Sequence, residues 1–276
     1  MIKIIAAGIV AFNICAAAVA DAPLKFPAAG INRITTDIDM GSMHLTGAAV
    51  SEVTVEITDN DPGKCRVTTK VENGALNIKS ECIAQQPEKT WRNFFGLFGS
   101  GKEKKDCRIN FNVTAPATMP LALHTSMGAN KVASFSSSVQ VRDDMGAIEV
   151  SGLTGDLADL NDAMGEISGS ACVKALKVKS SMGSVNISGL CGPADVHSSM
   201  GSVKLGWARV PAAGEADINA AMGAIQLTFP ADALLDVSFP SSMMSKVSNE
   251  FENHAGAFKV RGKASMGAVN IAKAAK

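Results

Sequence analysis

Between Leu121 and Ile271 the apolar residues fall in short runs with a spacing of two, on either side of a recurring Met-Gly dipeptide. One copy carries Leu176, Val178, Met182, Val185 and Ile187; the next carries Ala194, Val196, Met200, Val203 and Leu205. Alternation by two is strand periodicity, and its interruption at Met-Gly marks a corner or a bulge. Glycine suits such a corner because it takes positive φ and lets stacked backbones approach closely.

The dipeptide recurs at Met127-Gly128, Met145-Gly146, Met164-Gly165, Met182-Gly183, Met200-Gly201, Met222-Gly223 and Met266-Gly267, at intervals of 18, 19, 18, 18, 22 and 44 residues. Ser242-Met243-Met244-Ser245 divides the last interval into 21 and 23, with Met244 where the glycine is expected, and Met40-Gly41 is an outlying first copy. A period of this length means one supersecondary unit per coil, stacked on the next. Coils of about 18–22 residues supply two or three short strand sides and stack about 4.8 Å apart. The expected fold is all-β, a right-handed single-stranded β-helix or β-solenoid. The chain divides into a signal peptide at 1–20, an N-terminal β region at 21–120 with an aromatic insertion at 83–106, and the repeat solenoid at 121–276.

Composition sets the surroundings of this fold. The 276 residues are 46% apolar and only 19% charged, with 25 glycines, as a slim β core with many corners requires. The formal charge is zero and the longest basic neighbourhood is Lys102–Lys105, which gives no electrostatic case for nucleic acid. Lys3 precedes an apolar run, Ile4 to Ala20, ending in Ala18-Val19-Ala20; this is an export signal cleaved after Ala20. An uncleaved anchor, or lipidation at Cys15, fits the run less well. No later stretch is apolar and long enough to span a bilayer, so the mature chain is expected in the periplasm, at the cell surface or secreted, with no integral membrane segment.

Export makes cysteine pairs informative. Cys172 and Cys191 lie 19 residues apart, one repeat, and are expected to bridge adjacent coils. Asn73-Gly74 signals a hairpin that puts Cys65 opposite Cys82, while Cys107 shares a strand face with Ile109, Phe111 and Val113. Three thiols crowd one face, and the expectation is a bond of Cys82 with Cys65 or Cys107. Three cysteines without a nearby histidine argue against a metal site.

The insertion concentrates Trp91, Phe94, Phe95, Leu97 and Phe98 beside lysines, in a chain only 5% aromatic. These side chains either cover an open end of the solenoid or touch a partner or membrane surface. Met127, Met145, Met164, Met182, Met200, Met222 and Met266 are expected in the core, each in phase with branched apolar residues and filling irregular space at a corner. A thioether ladder for Cu(I) is the alternative set aside here; no cofactor is expected.

No catalytic constellation emerges. His44, His124, His197 and His254 have no repeated partner. Asp143-Asp144 and Asp159-Asp162 could suggest carboxylate pairs for glycoside chemistry, but they read as turn formers without a stacked acidic patch.

The chain also resembles a bacterial putative-adhesin family of exported or envelope β-strand-repeat proteins of unknown function. The resemblance rests on Ile34-Thr35-Thr36-Asp37-Ile38-Asp39-Met40-Gly41-Ser42-Met43-His44-Leu45, on Gly74-Ala75-Leu76-Asn77-Ile78, on Ile109–Pro116 and on the serial Ser-Met-Gly-Ser-Val copies. It spans roughly residues 32 to 271, departing by Met before Gly, where the family usually has a small polar residue, and by the insertion. It implies an adhesin-like envelope or surface binding module with no catalytic residues to carry over, whose partner is an envelope protein, a glycan or a membrane surface. The alternatives are a periplasmic structural or sensory scaffold that binds another protein and, more remotely, a carbohydrate-active β-helix enzyme.

Overall fold

The computed structural model describes residues 22–58, 64–83, 107–240 and 244–274. Its strands are β1 (Leu24–Pro27), β2 (Arg33–Met40), β3 (Met43–Ala48), β4 (Glu52–Thr58), β5 (Cys65–Glu72), β6 (Ala75–Cys82), β7 (Asn110–Pro116), β8 (Leu121–Ala133), β9 (Val139–Leu153) and β10 (Leu157–Ala171). They continue as β11 (Ala175–Met182), β12 (Val185–Leu190), β13 (Ala194–Met200), β14 (Val203–Trp207), β15 (Glu215–Met222), β16 (Ile225–Phe229), β17 (Leu235–Ser238), β18 (Val247–Asn249), β19 (Phe258–Met266) and β20 (Val269–Lys273). The result is an all-β solenoid. In β8, β9 and β10 one strand runs through the Met-Gly corner; from β11 onward the corner divides each coil into two strands.

Parallel pairing in the repeat region keeps equivalent residues opposite one another. Val178 lies against Val196 and Val196 against Ile218; Val185 lies against Val203 and Val203 against Ile225. These columns are fully buried, each aliphatic side chain contributing about 1.5–3 kcal/mol when removed from water. At the opposite turn the core is closed by aromatics. Trp207 stacks on Phe229 at 4.4 Å between ring centroids, and its Nε1–H donates to the Gly192 carbonyl at 3.0 Å.

Order along the chain and order in the stack differ at both ends. β2 and β3, first to turn the corner, lie between β8 and an outer coil made of β6 and β7. That outer coil is finished by antiparallel strands, β5 on β6 through Asn73-Gly74, and β4 then β1 on β7. At the other end β19 sits between β15 and β17, and β20 between β16 and β18, so the last coil in sequence is next to last in space.

The hidden repeat copy is corrected by one residue. The Gly267 N–H donates to the Met244 carbonyl at 3.3 Å, as the Gly223 N–H does to the Met266 carbonyl at 2.9 Å. Val247 also lies opposite Val269. Met244 therefore occupies the methionine position and Ser245 the glycine position, dividing the interval equally, whereas the sequence reading put Met243 there with Met244 in place of the glycine.

The cysteines separate into two kinds of outcome. Cys172 and Cys191 are joined across adjacent coils, with Cα atoms 4.8 Å apart. In the N-terminal region Cys65 is bonded to Cys107, and Cys82 stays a free, exposed thiol, contrary to the expectation that Cys82 would be bridged. Cys65 does lie opposite Cys82 in the hairpin. Burial decides the pairing: Cys65 and Cys107 both point into the core, while Cys82 ends β6 at the edge. Its thiol is held above the ordinary range by burial and by the Asp39 carboxylate, and so stays protonated.

Candidate functional site

The glycine column shapes the Met-Gly corner. Gly183 has φ 138° and Gly201 φ 134°, and a Cβ on either would overlap the carbonyl oxygen of the glycine one coil earlier. Both the dihedral and the close stacking therefore demand glycine. Just upstream, the register pairs Ser180 with Ser198 and Met182 with Met200 but skips the residue between, so the strand slips phase by one position there.

That slip turns the methionines to solvent. Met127, Met145, Met164, Met182, Met200, Met222 and Met266 are each between 37% and 44% exposed, in contrast to the fully buried side chains at the flanking aliphatic positions. The expectation that they fill the core is overturned. Strand pairing instead aligns Met40, Met127, Met145, Met164, Met182, Met200, Met222 and Met266 in one continuous file along an outer edge. At its N-terminal end, Met40, Met127 and Met145 line an open groove of about 530 Å³ together with Arg108 and Asn110.

Behind this edge lies a buried polar column that the sequence reading missed. The position two before each Met holds Thr125, Asp143, Asp162, Ser180 and Ser198, then Ala220 and Ala264, all buried. Asp143 and Asp162 thus do occupy equivalent positions on neighbouring coils, a correction to the view that the acids form no stack. Their common offset from Met-Gly was the available signal.

Each aspartate accepts a hydrogen bond from the methionine N–H two residues on, at 3.1 Å for Asp143 and 3.0 Å for Asp162. The second oxygen of Asp143 accepts from Asn130 Nδ2 at 2.8 Å, and Asn130 Oδ1 accepts from the Thr125 hydroxyl at 3.0 Å. Asn130 stands where the next coils place Ile148 and Ile167, so it is an amide brought into an aliphatic column to satisfy a carboxyl. The second oxygen of Asp162 is buried with no hydrogen-bond partner among the described residues.

Burial is the main force on both acids. It raises Asp162 to about 6, offset in part by the Met164 N–H. It raises Asp143 to about 7, where the Asn130 bond pulls downward and the Asp162 charge pushes upward. Sealed from solvent, the pair cannot meet a glycan substrate in this conformation.

The other sequence-singled residues are dispersed. His124 bridges Asp37 at 3.2 Å and Asp144 at 3.7 Å, and His197 meets Asp195 at 2.9 Å, all on the exposed face of the sheet. Trp91, Phe94, Phe95, Leu97 and Phe98 lie outside the described residues. The chain leaves the described region at Ile83 and re-enters at Cys107. Ile109 then donates its N–H to the Met40 carbonyl at 3.1 Å, as the repeat glycines do to theirs, so Ile109 takes the glycine's place at the corner of the outermost coil. A separate recess of about 780 Å³ lies among the turns after β14, β16 and β18, lined in part by Arg209, Asp232, Leu234 and His254.

A family described as Toastrack DUF4097 matches residues 31–269. No curated protein matches the chain. Among solved structures it is similar to a putative cell adhesion protein from Clostridium sporogenes ATCC 15579, at 10% identity over 91% of this chain and 100% of that chain, with a TM-score of 0.31. It is also similar to a putative adhesin from Bacteroides fragilis NCTC 9343, at 12% identity over 91% of this chain and 96% of that chain, with a TM-score of 0.45.

Proposed function

The chain belongs to the Toastrack DUF4097 family, and from that premise we propose that it is an exported, non-enzymatic, adhesin-like module that binds a partner at the cell envelope or surface. The observation that carries this reading is the methionine file. A solvent-facing corner could hold any polar residue, yet it repeats a flexible apolar one in register on successive coils. Such a strip adapts its shape to a partner, and contiguous exposed apolar surface marks interaction. The aromatic insertion, through Trp91, Phe94, Phe95, Leu97 and Phe98, is the second segment we assign to the contact. Residues 1–20 direct export, 21–120 supply the closed end, and 121–276 supply the binding solenoid.

Fractionation of whole cells, with external protease added before lysis, tests the location. Digestion on intact cells is expected for a surface module; protection until the outer barrier is opened would favour the periplasmic scaffold. Binding of purified wild-type protein to isolated envelopes should then fall when four central methionines, Met164, Met182, Met200 and Met222, become serine. Unchanged binding by a folded variant would remove the edge from the contact.

A further inference from the structure

We propose that the methionine file is a binding site for a soft monovalent cation, Cu(I) or Ag(I). This goes beyond adhesion and does not depend on it. The donor is the first reason. A thioether is neutral, soft and never protonated in water, and among biological cations it selects Cu(I) over Zn(II), Mg(II) and Ca(II).

The spacing is the second reason. Coils stack about 4.8 Å apart, and methionine has three rotatable side-chain bonds, so sulfurs from two or three successive coils can converge on one ion without backbone movement. The parallel register keeps Met164, Met182, Met200 and Met222 opposite one another, so no methionine backbone is displaced along the strands from its neighbours.

The flanks are the third. The residue before each of these methionines is Ala163, Ser181, Ser199 or Ala221, and two residues after it stands Glu166, Ser184, Ser202 or Ala224. Apart from Glu166 these neighbours are small, so from Met182 to Met222 the thioethers are the tallest groups on the edge. Across the quartets from Ser126–Ala129 to Ser265–Ala268 there is no Lys, Arg or His, and the only charges are Asp144 and Glu166. No cationic side chain therefore stands within the quartets themselves. Arg108 borders the groove at Met40, Met127 and Met145, which places the favoured sites on the coils from Met164 to Met222.

The test uses the mature chain, residues 21–276, which lacks Cys15, with disulfides intact and Cys82→Ser to remove the remaining competing thiol, titrated anaerobically with Cu(I) presented by a chromophoric competing chelator. Uptake of about two or three ions per chain is expected, with X-ray absorption showing sulfur neighbours. Affinity should be unchanged from pH 5.5 to 7.5, because thioethers do not titrate. Changing Met164, Met182, Met200 and Met222 to leucine keeps size and apolarity while removing sulfur, and should weaken uptake at least about tenfold without lowering the melting temperature; the same four changes to serine should act alike. Equal Cu(I) uptake by the leucine variant would overturn the proposal, as would no uptake by the Cys82→Ser protein. The second result, together with envelope binding retained by the leucine variant, would make the file an apolar docking strip.

Discussion

The coils bearing Asp143 and Asp162 turn the same corner as the coils bearing Ser180 and Ser198, over a different interior. In both, the residue two before Met is buried, the strand slips phase, and Met emerges into solvent. In the serine coils the buried hydroxyl is small and neutral, and Ser180 donates to the Gly183 carbonyl at 3.4 Å. In the aspartate coils a carboxyl fills the space, bonds the Met N–H, and brings Asn130 and Thr125 with it. The outer edge is thus set by the backbone and is indifferent to what lies beneath, whereas stability near neutral pH depends on the interior.

The largest expected effect tests what the two kinds of coil share. Gly183→Ala forces a Cβ into the Gly165 carbonyl and a side chain onto φ 138°, so it should cost more than about 3 kcal/mol, read as a shifted denaturation midpoint. A loss below about 1 kcal/mol would mean that the stack yields, and that the glycine column is a preference rather than a requirement.

Next is the bridge between the two regions, since Cys172 follows an aspartate coil and Cys191 a serine coil. Replacing both by serine should cost roughly 3 kcal/mol in the chain-entropy model. An unchanged midpoint under non-reducing conditions would show that the parallel ladders alone hold the coils together.

Asp162→Asn sharpens the difference itself. Both carboxyls have folded values raised above the ordinary 3.8, so the stability they contribute as neutral groups is fully present below about pH 4 and is lost as pH rises through about 6 and 7. The asparagine keeps an acceptor for the Met164 N–H and removes the charge from the unpartnered oxygen. Stability at pH 8 should rise, and the decline between pH 4 and 7 should flatten. A pH profile of stability as steep as that of wild type would show that Asp162 is not the group that titrates.

The smallest expected effect is Met200→Ser, within about 0.5 kcal/mol because the side chain lies on the outer edge. A core methionine would cost about 2 to 5 kcal/mol when truncated, so the same measurement separates the two placements.

Spacing alone made the solenoid legible: period-two columns at Leu176, Val178, Val185 and Ile187, repeated with Met-Gly, admit no other regular stacking. The Cys172–Cys191 span followed from the same period. The side on which Met182 lies was not legible in that way. Val178 and Val185 are both buried and seven residues apart, so an odd count requires a phase slip between them, but alternation cannot say whether it falls before or after Met. Only the stack decides, because the slip must sit where hydrogen bonding between coils can omit a residue. The buried acids were hidden for a related reason: burial is read from apolarity, and the Asn130 that partners Asp143 stands 13 residues away, on the preceding coil.

Composition and period by themselves determined the coil, its length and its glycine corners, because those properties are local and repeat with the chain. The tertiary structure decided the order of the coils at both ends, the choice of Cys107 over Cys82 as partner for Cys65, and the exposure of the methionine file. Each of these turns on which surfaces meet, and segments far apart in the chain bring those surfaces together.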